Sequence, residues 1–203
     1  PASFHAAQRE ATVYAAEKAF ERSRETRTVR LLDEPYAAFA DLKFREPENA
    51  ASLLREGANV LVFDFGGGTC DVAIFRIDSL NGGTLGARLL ATSRYHRLGG
   101  GDIDRAIVHD VLIPQLLKQH GIETWDVTWA TRSRELERQL LDVAERLKIA
   151  LNMRLEEYRG AGMEAPPDLA CSAVDMQVEC EGRQLAFRRP SLDVAAFEKL
   201  LVP

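Results

Sequence analysis

"FDFGGGTCDVAIF", residues 63–75, sets three consecutive glycines between two carboxylates, with an apolar, β-prone run on either side. Glycine weakens a strand unless the backbone must turn sharply or let another group come very close. The flanking runs "NVLVFDF" (59–65) and "TCDVAIFRID" (69–78) read as strands, apolar enough on both faces to be central in a sheet. The glycines then form the tip of a hairpin. With no Cβ atoms in the way, the tip amides can converge on an anion as a backbone nest. Asp64 ends the incoming strand, where a carboxylate can hold a magnesium ion directly or through its waters. Thr69 places a hydroxyl at the tip, and Asp71 a second carboxylate two residues on, on the same side of the strand. A magnesium-bound polyphosphate asks for that mixture; a glycine-rich hairpin that only turns is the plainer alternative.

Two look-alike motifs fail on context. "DFG" occurs at 64–66, but no H-R-D loop precedes it and no A-P-E follows. There is also no G-x-x-x-x-G-K-[ST], in which a lysine and a helix N-terminus would serve the phosphates.

The 203 residues suffice for one large domain or two small ones, and their hydrophobic and charged content is ordinary for a soluble protein. A net charge of −5 argues against nucleic acid as a partner, since no excess of Lys and Arg exists to displace counterions. No apolar run approaches the roughly 20 residues that cross a bilayer, and no secretory signal is read at the start. Cys70, Cys171 and Cys180 are odd in number and lack metal-ligand spacing; they read as reduced thiols of a cytoplasmic protein. The chain opens without Met and stops on an apolar helix just begun, so it is expected to be a piece of something larger.

Around the hairpin, residues 4–21 predict a helix with Ala7, Ala11, Ala15 and Ala19 as a small-residue stripe for a close neighbour. "TVRLL" (28–32) predicts a short strand, followed by a helix with Pro35 in its first turn. Residues 45–58, with Pro47 and Gly57, read as a connection. "NGG" (81–83) is the strongest hairpin turn signal, with a third strand after it. A helix should start at Asp102 as N-cap and run toward Gly121, divided by Pro114. "SRELERQLLDVAERLKIALN" (133–152) is the clearest amphipathic helix, with Leu136, Leu140, Val143, Leu147 and Leu151 on one face. "YRGAGMEAPPD" predicts a loop, "LACSAVDMQVECEGRQLAFRR" two or three short strands, and 192–201 a last helix. Mixed strands and helices in this order predict an α/β fold.

These residues carry a resemblance. "VFDFGGGTCDVAIF" resembles the second phosphate loop of the actin, hexokinase and heat-shock-chaperone ATPase superfamily. More specifically, the chain resembles the nucleotide-binding domain of DnaK-type seventy-kilodalton heat-shock chaperones. "PASFHAAQREAT" matches that family's P-A-x-F-x-x-x-Q-R-x-A-T, "LLDEPYAAFA" its E-P-T-A-A-A helix start, "RLGGGDIDRAIV" its L-G-G-E-D-F-D turn, and "AERLKIALN" its nucleoside-contacting helix. The motifs occur in family order over most of residues 1–152. "MQVECEGRQLAFRRPSLDVAAFEKLL" resembles more loosely the strand pair and helix of the outer subdomain.

The resemblance implies a partial actin-like ATPase (ribonuclease H-like) fold. Residues 1–58 would complete the first lobe, 59–98 begin the core of the second, and 99–203 form its outer subdomain. Upstream, the family places a first phosphate hairpin and a lysine near the γ-phosphate, and downstream another nucleoside loop. It implies ATP or ADP with Mg2+ as ligands, hydrolysis in the parent that is weak or absent in this piece, and partners of three kinds: the remaining segments of the chain, a co-chaperone or nucleotide exchange factor, and unfolded clients. Asp64 and Glu34 would hold the magnesium, Glu34 through water and as part of the link between lobes. Gly66, Gly67, Gly68 and Thr69 would contact the phosphates, with Thr69 and Asp71 orienting the attacking water. Gly99 and Gly100 would form a tight turn, Gly100 approaching the nucleotide closely.

On the long helix, Glu145, Lys148 and Asn152 fall on one stripe roughly 120° from the leucine face. That is by default a solvated face, but by resemblance it lines the adenosine with Ile149 beside the base. Glu34 could equally be a plain helix-dipole partner. His5, His96, His109 and His120 show no metal-like clustering, and Trp125 and Trp129 read as packing residues. Tyr36 stands where the family has Thr, Cys70 where it has Phe, and Gly101 where it has Glu, which marks a divergent member. A bacterial actin-like filament or cell-division ATPase, and a degenerate scaffold domain, are the competing readings.

Overall fold

The computed structural model describes residues 5–20, 29–45, 48, 53–79, 85–93, 96–123 and 126–201, and the chain divides into two units, 1–99 and 100–203. The predicted "NGG" turn and Trp125 lie outside the described residues.

In the first unit, helix α1 (Ala6–Phe20) forms as its alanine content dictates. Its alanine stripe, expected to receive a neighbour, is exposed, and no α1 residue is buried. Arg9 of α1 pairs with Asp33 at 2.5 Å. Residues 29–33 carry no strand, contrary to the reading of "TVRLL"; β-prone side chains do not make a strand without a partner to pair with. Asp33 instead starts α2 (Glu34–Arg45), its carbonyl accepting from the amides of Tyr36 and Ala37.

The two runs around the glycines form β1 (Asn59–Phe65) and β2 (Cys70–Ser79), and β3 (Leu85–Thr92) completes an antiparallel sheet in the order β1-β2-β3. Only β2 is central, as both had been expected to be; β1 lies at the edge among the described strands. The period-2 pattern assigns the faces. Asp71, Ala73, Phe75 and Ile77 are buried on one side, while Leu61, Phe63 and Phe65 of β1 are exposed on the other. Helix α2 covers the buried side. Tyr36 packs edge-on against Phe75 with ring centroids 4.7 Å apart, and Phe39 and Leu42 close over Leu54 and Ile77.

The second unit is built on one continuous apolar core. Helix α3 (Gly100–Ile107) starts two residues earlier than predicted. Asp102 lies inside its first turn rather than capping it, where its charge still favours the helix dipole, and bonds Arg105 at 2.8 Å. Pro114 divides the predicted helix as expected. The π-helical turn Val108–Leu112 widens the chain just ahead of it, leaving Pro114 in the first turn of α4 (Ile113–Gln119). Gly121, at φ +64°, ends α4 in a Schellman motif, with Ile122 N–H donating to the Leu117 carbonyl.

A second π-helical turn, Arg132–Leu136, leads into α5 (Glu137–Gly160). Leu136, Leu140, Val143, Leu147 and Leu151 are all buried on its predicted face. The helix runs on to Gly160, eight residues past the predicted end, and stops at a second Schellman turn on Gly162. Trp129 does not pack as expected: it is 64% exposed, stacked on His109 with the Arg132 guanidinium over its ring.

The tail forms two antiparallel pairs. β4 (Ala170–Ser172) pairs with β7 (Ser191–Asp193), and β5 (Met176–Cys180) with β6 (Arg183–Phe187). Glu181 and Gly182, both at positive φ, make the two-residue turn between β5 and β6. Helix α6 (Val194–Leu201) closes the core with Val194 and Phe197.

Candidate functional site

The tip residues Gly66–Thr69 bridge β1 and β2, whose register pairs Phe65 with Cys70 and Asp64 with Asp71. The Gly66 N–H donates to the Thr69 carbonyl at 2.9 Å, closing the loop on itself. That spends one of the amides the nest reading had counted. The amides of Gly67 and Gly68 have no acceptor among the described residues.

Why these positions are glycine differs from one to the next. None of Gly66, Gly67, Gly68 or Gly99 has positive φ, so backbone conformation does not demand glycine there. A Cβ placed on Gly99 would lie 2.6 Å from the Gly67 carbonyl carbon and the Gly68 nitrogen, and 2.7 Å from the Gly66 oxygen. Gly99 is thus a buttress packed backbone to backbone behind the loop. A Cβ on Gly67 or Gly68 would meet nothing within 4 Å. Among the described residues, nothing in the protein itself excludes a side chain at those two positions.

Asp64 and Asp71 face each other across the ladder, on the side covered by α2. Directly opposed strand residues have Cβ atoms about 4.5–5.5 Å apart, and like charges there repel. Asp71 is 2% exposed, and its Oδ1 is buried without a hydrogen-bond partner. A buried carboxylate oxygen with no donor is costly and calls for a cation or ordered water. Two facing carboxylates beside open amides suit a hydrated divalent ion that carries an anion. Among the described residues no group of three or more His, Cys, Asp or Glu could hold a metal. Such a site fits an ion that keeps several waters and takes its other ligands from phosphate oxygens, as magnesium does. Thr69 is half-buried at the tip, and Glu34 is exposed at the start of α2.

In the second unit, Glu145, Ile149 and Asn152 are exposed on one stripe of α5. Lys148, from the same stripe, is drawn in. Its Nζ lies 2.7 Å from Asp104 Oδ1, an ion pair whose side chains are 15% and 10% exposed. The same nitrogen donates to the Gly100 carbonyl at 3.1 Å. Asp104 was not singled out from the sequence. The available signal was its place among Ile103, Ile107 and Val108, where a core-facing helix position carries a charge.

A family model described as "Hsp70 protein" matches residues 1–160. The chain is 36% identical over 159 residues to the "Chaperone protein DnaK" of Thermosipho melanesiensis, covering 77% of this chain and 22% of that protein. It is 36% identical over 157 residues to the protein of that name from Thermus thermophilus (77% and 21%), and 35% identical over 129 residues to that from Nitrosopumilus maritimus (63% and 17%). The chain spans about a fifth of the length of the curated relatives it matches.

Proposed function

The chain belongs to the Hsp70 protein family, and from that premise we propose that it is a segment of a nucleotide-binding domain whose glycine tip grips the phosphates of Mg-ATP. The family implies an actin-like ATPase fold, and the mixed helix and sheet of both units agree with it. The observation that carries the reading is the contrast at the loop. Gly99 is glycine because the loop's own backbone fills the space, whereas among the described residues nothing lies within 4 Å of a Cβ on Gly67 or Gly68 and nothing accepts from their amides. A bound polyanion accounts for that pair, since it needs close backbone approach from the open side.

In this reading Gly66, Gly67, Gly68 and Thr69 hold the phosphates, and Asp64 and Asp71 face the magnesium, with Glu34 contributing through water. When bound, the ion neutralises charge on the polyphosphate. Asp71 and Thr69 orient the attacking water, Asp71 with the oxygen that has no other partner. Gly100, Glu145, Lys148, Ile149 and Asn152 serve the nucleoside. Residues 1–58 complete the first lobe, 59–98 begin the second and 99–203 form its outer subdomain. The parent hydrolyses ATP slowly and converts nucleotide state into lobe closure, which acts on unfolded protein clients with a co-chaperone or exchange factor. No helix is long and apolar enough to cross a membrane among the described residues, and a cytoplasmic location is part of the proposal.

The test is Mg-ATP binding by calorimetry and phosphate release by the full-length protein. Binding with slow release is expected. Neither binding nor release would leave a degenerate scaffold. The 203-residue piece alone should bind nucleotide weakly, because it holds about a fifth of its relatives' length.

A further inference from the structure

We infer that Asp104 is a positioning residue for the nucleoside side of the site, acting through Lys148; this rests on the nucleotide-binding reading above. A buried ion pair is a weak source of stability, because desolvating both charges offsets most of their attraction, and apolar replacements of similar volume often do as well or better. Asp104 is 7% exposed on a helix whose inward neighbour Ile107, with Val108 just past the helix end, is fully buried and apolar. An apolar residue would serve packing there. The carboxylate does something an apolar group cannot: it fixes where an ammonium sits.

The geometry specifies that place. Asp104 lies one helical turn after Gly100, and Lys148 Nζ touches both, the carboxylate at 2.7 Å and the Gly100 carbonyl at 3.1 Å. A lysine ammonium has three donors. One is spent on the Gly100 carbonyl, and the Asp104 charge beside the ammonium holds it on the stripe of α5 where Glu145, Ile149 and Asn152 stand open. A free lysine on a four-carbon stem would lose rotamer entropy on meeting a ligand; one already held by Asp104 has lost it beforehand. The ligand chemistry suited to a restrained ammonium on a stripe with a carboxylate and a carboxamide is a hydroxyl-bearing sugar, with the aliphatic Ile149 beside a flat ring.

The experiment compares ADP with inorganic tripolyphosphate, each with magnesium, by calorimetry on the full-length protein and its variants. Asp104→Asn, which keeps the side-chain shape, should weaken ADP about tenfold, the scale of one charge-assisted hydrogen bond. Tripolyphosphate, which needs only the glycine tip, should bind as before. Lys148→Met should weaken ADP equally, and the double variant Asp104→Asn/Lys148→Met no more than Lys148→Met alone. The double variant leaves no uncompensated buried charge and so remains measurable should Lys148→Met fold poorly. If Asp104→Asn lowers the melting temperature but binds ADP as tightly as the unaltered protein, Asp104 is only a staple between α3 and α5, and the inference is wrong. If the unaltered protein binds tripolyphosphate but not ADP, or neither, the nucleotide reading itself fails first.

Discussion

Gln139 holds Glu179 by both of its backbone groups. The Gln139 carboxamide oxygen accepts the Glu179 N–H at 2.9 Å, and its Nε2 donates to the Glu179 carbonyl at 2.8 Å. The side chain thereby stands in for a neighbouring strand along the open edge of β5. Two more glutamines repeat the device from α4: Gln115 pairs in both directions with Ser191, and Gln119 with Arg188. The strand-rich tail is fastened to the helices by carboxamides as well as by its apolar core.

Gln139→Met keeps the volume and removes both bonds to Glu179, together with the one Nε2 gives the Glu135 carbonyl, so the free energy of unfolding should fall by about 1 kcal/mol, the net scale of hydrogen bonds whose loss water can partly repair. Gln139→Glu keeps the acceptor for the Glu179 N–H but sets a carboxylate against its carbonyl, and should be no milder. Urea denaturation followed by circular dichroism measures both. A midpoint unchanged in both variants would mean that the clamp contributes nothing.

The two glycine environments predict opposite outcomes for one methyl group. Gly99→Ala forces a Cβ into the backbone of Gly66, Gly67 and Gly68, so either the loop or the chain at residue 99 must shift. Overpacking of this kind typically costs about 1–3 kcal/mol. Gly67→Ala meets nothing within 4 Å among the described residues and should leave the melting temperature within a degree or two, since negative φ accommodates alanine. Both variants should lose Mg-ATP affinity in the full-length protein, the first by displacing the loop and the second by occupying the ligand's space. Gly67→Ala binding ATP normally would show that the open side of the loop is not where phosphate sits.

How much of this could be read from residues alone depended on whether the partner was local. The hairpin was legible because Asp64 and Asp71 are seven residues apart and glycines are out of place in a β-prone run. The leucine face of α5 was legible because a 3.6-residue period needs no knowledge of what it packs against. The single buried side of β2 was not, because Val72 and Ile74 stand on one face and Phe75 and Ile77 on the other, and only the position of α2 decides between them. "TVRLL" failed because residues 29–32 meet no pairing strand among the described residues, and Trp129 because His109, on which it stacks, comes from another helix. The glutamine clamps join residues 40 to 76 positions apart through backbone atoms, which every residue has, so no residue pattern announces them. Asp104 was masked by the glycine-rich turn before it, which invites a reading of the aspartates as caps.

Cys180 should be the slowest of the three thiols to react. It is 5% exposed, whereas Cys70 and Cys171 are half-buried. Burial raises its pKa above the usual 9.0, and the nearby charges of Glu181 and Glu135 raise it further, with Arg183 acting the other way. Since the thiolate is the nucleophile, alkylation by iodoacetamide at about pH 8 should label Cys180 last, as peptide mass spectrometry would record. The same shift affects stability. The folded state favours the protonated thiol more than the unfolded chain does, so its contribution is complete below the ordinary thiol pKa and is lost as pH rises through the raised value. Denaturation midpoints should therefore drop on the alkaline side, and the drop should be smaller in Cys180→Val. Labelling of Cys180 ahead of Cys171 would contradict the packing of β5.

Thr69 and Asp71 divide the proposed labour between them, and substitution separates their parts. Thr69 lies at the tip with its carbonyl spent on Gly66, so Thr69→Ala removes the hydroxyl without disturbing the bond that closes the loop. ATP should bind nearly as before, and hydrolysis by the full-length protein should slow by about 10- to 100-fold, the scale of losing one group that positions a nucleophile. Asp71→Asn has a second effect. It relieves the repulsion from Asp64 across the ladder and replaces a carboxylate whose Oδ1 is buried without a partner among the described residues by a neutral amide, so the ligand-free protein should become more stable, by about 1 kcal/mol. The stabilisation that Mg-ATP adds to the unaltered protein should largely disappear in that variant, because the acid that disfavours the empty fold is the one proposed to face the ion. Thermal melts with and without Mg-ATP, beside single-turnover phosphate release, resolve the two. An Asp71→Asn protein that is less stable when empty, yet gains as much from Mg-ATP as before, would show that Asp71 is satisfied by something other than the ion.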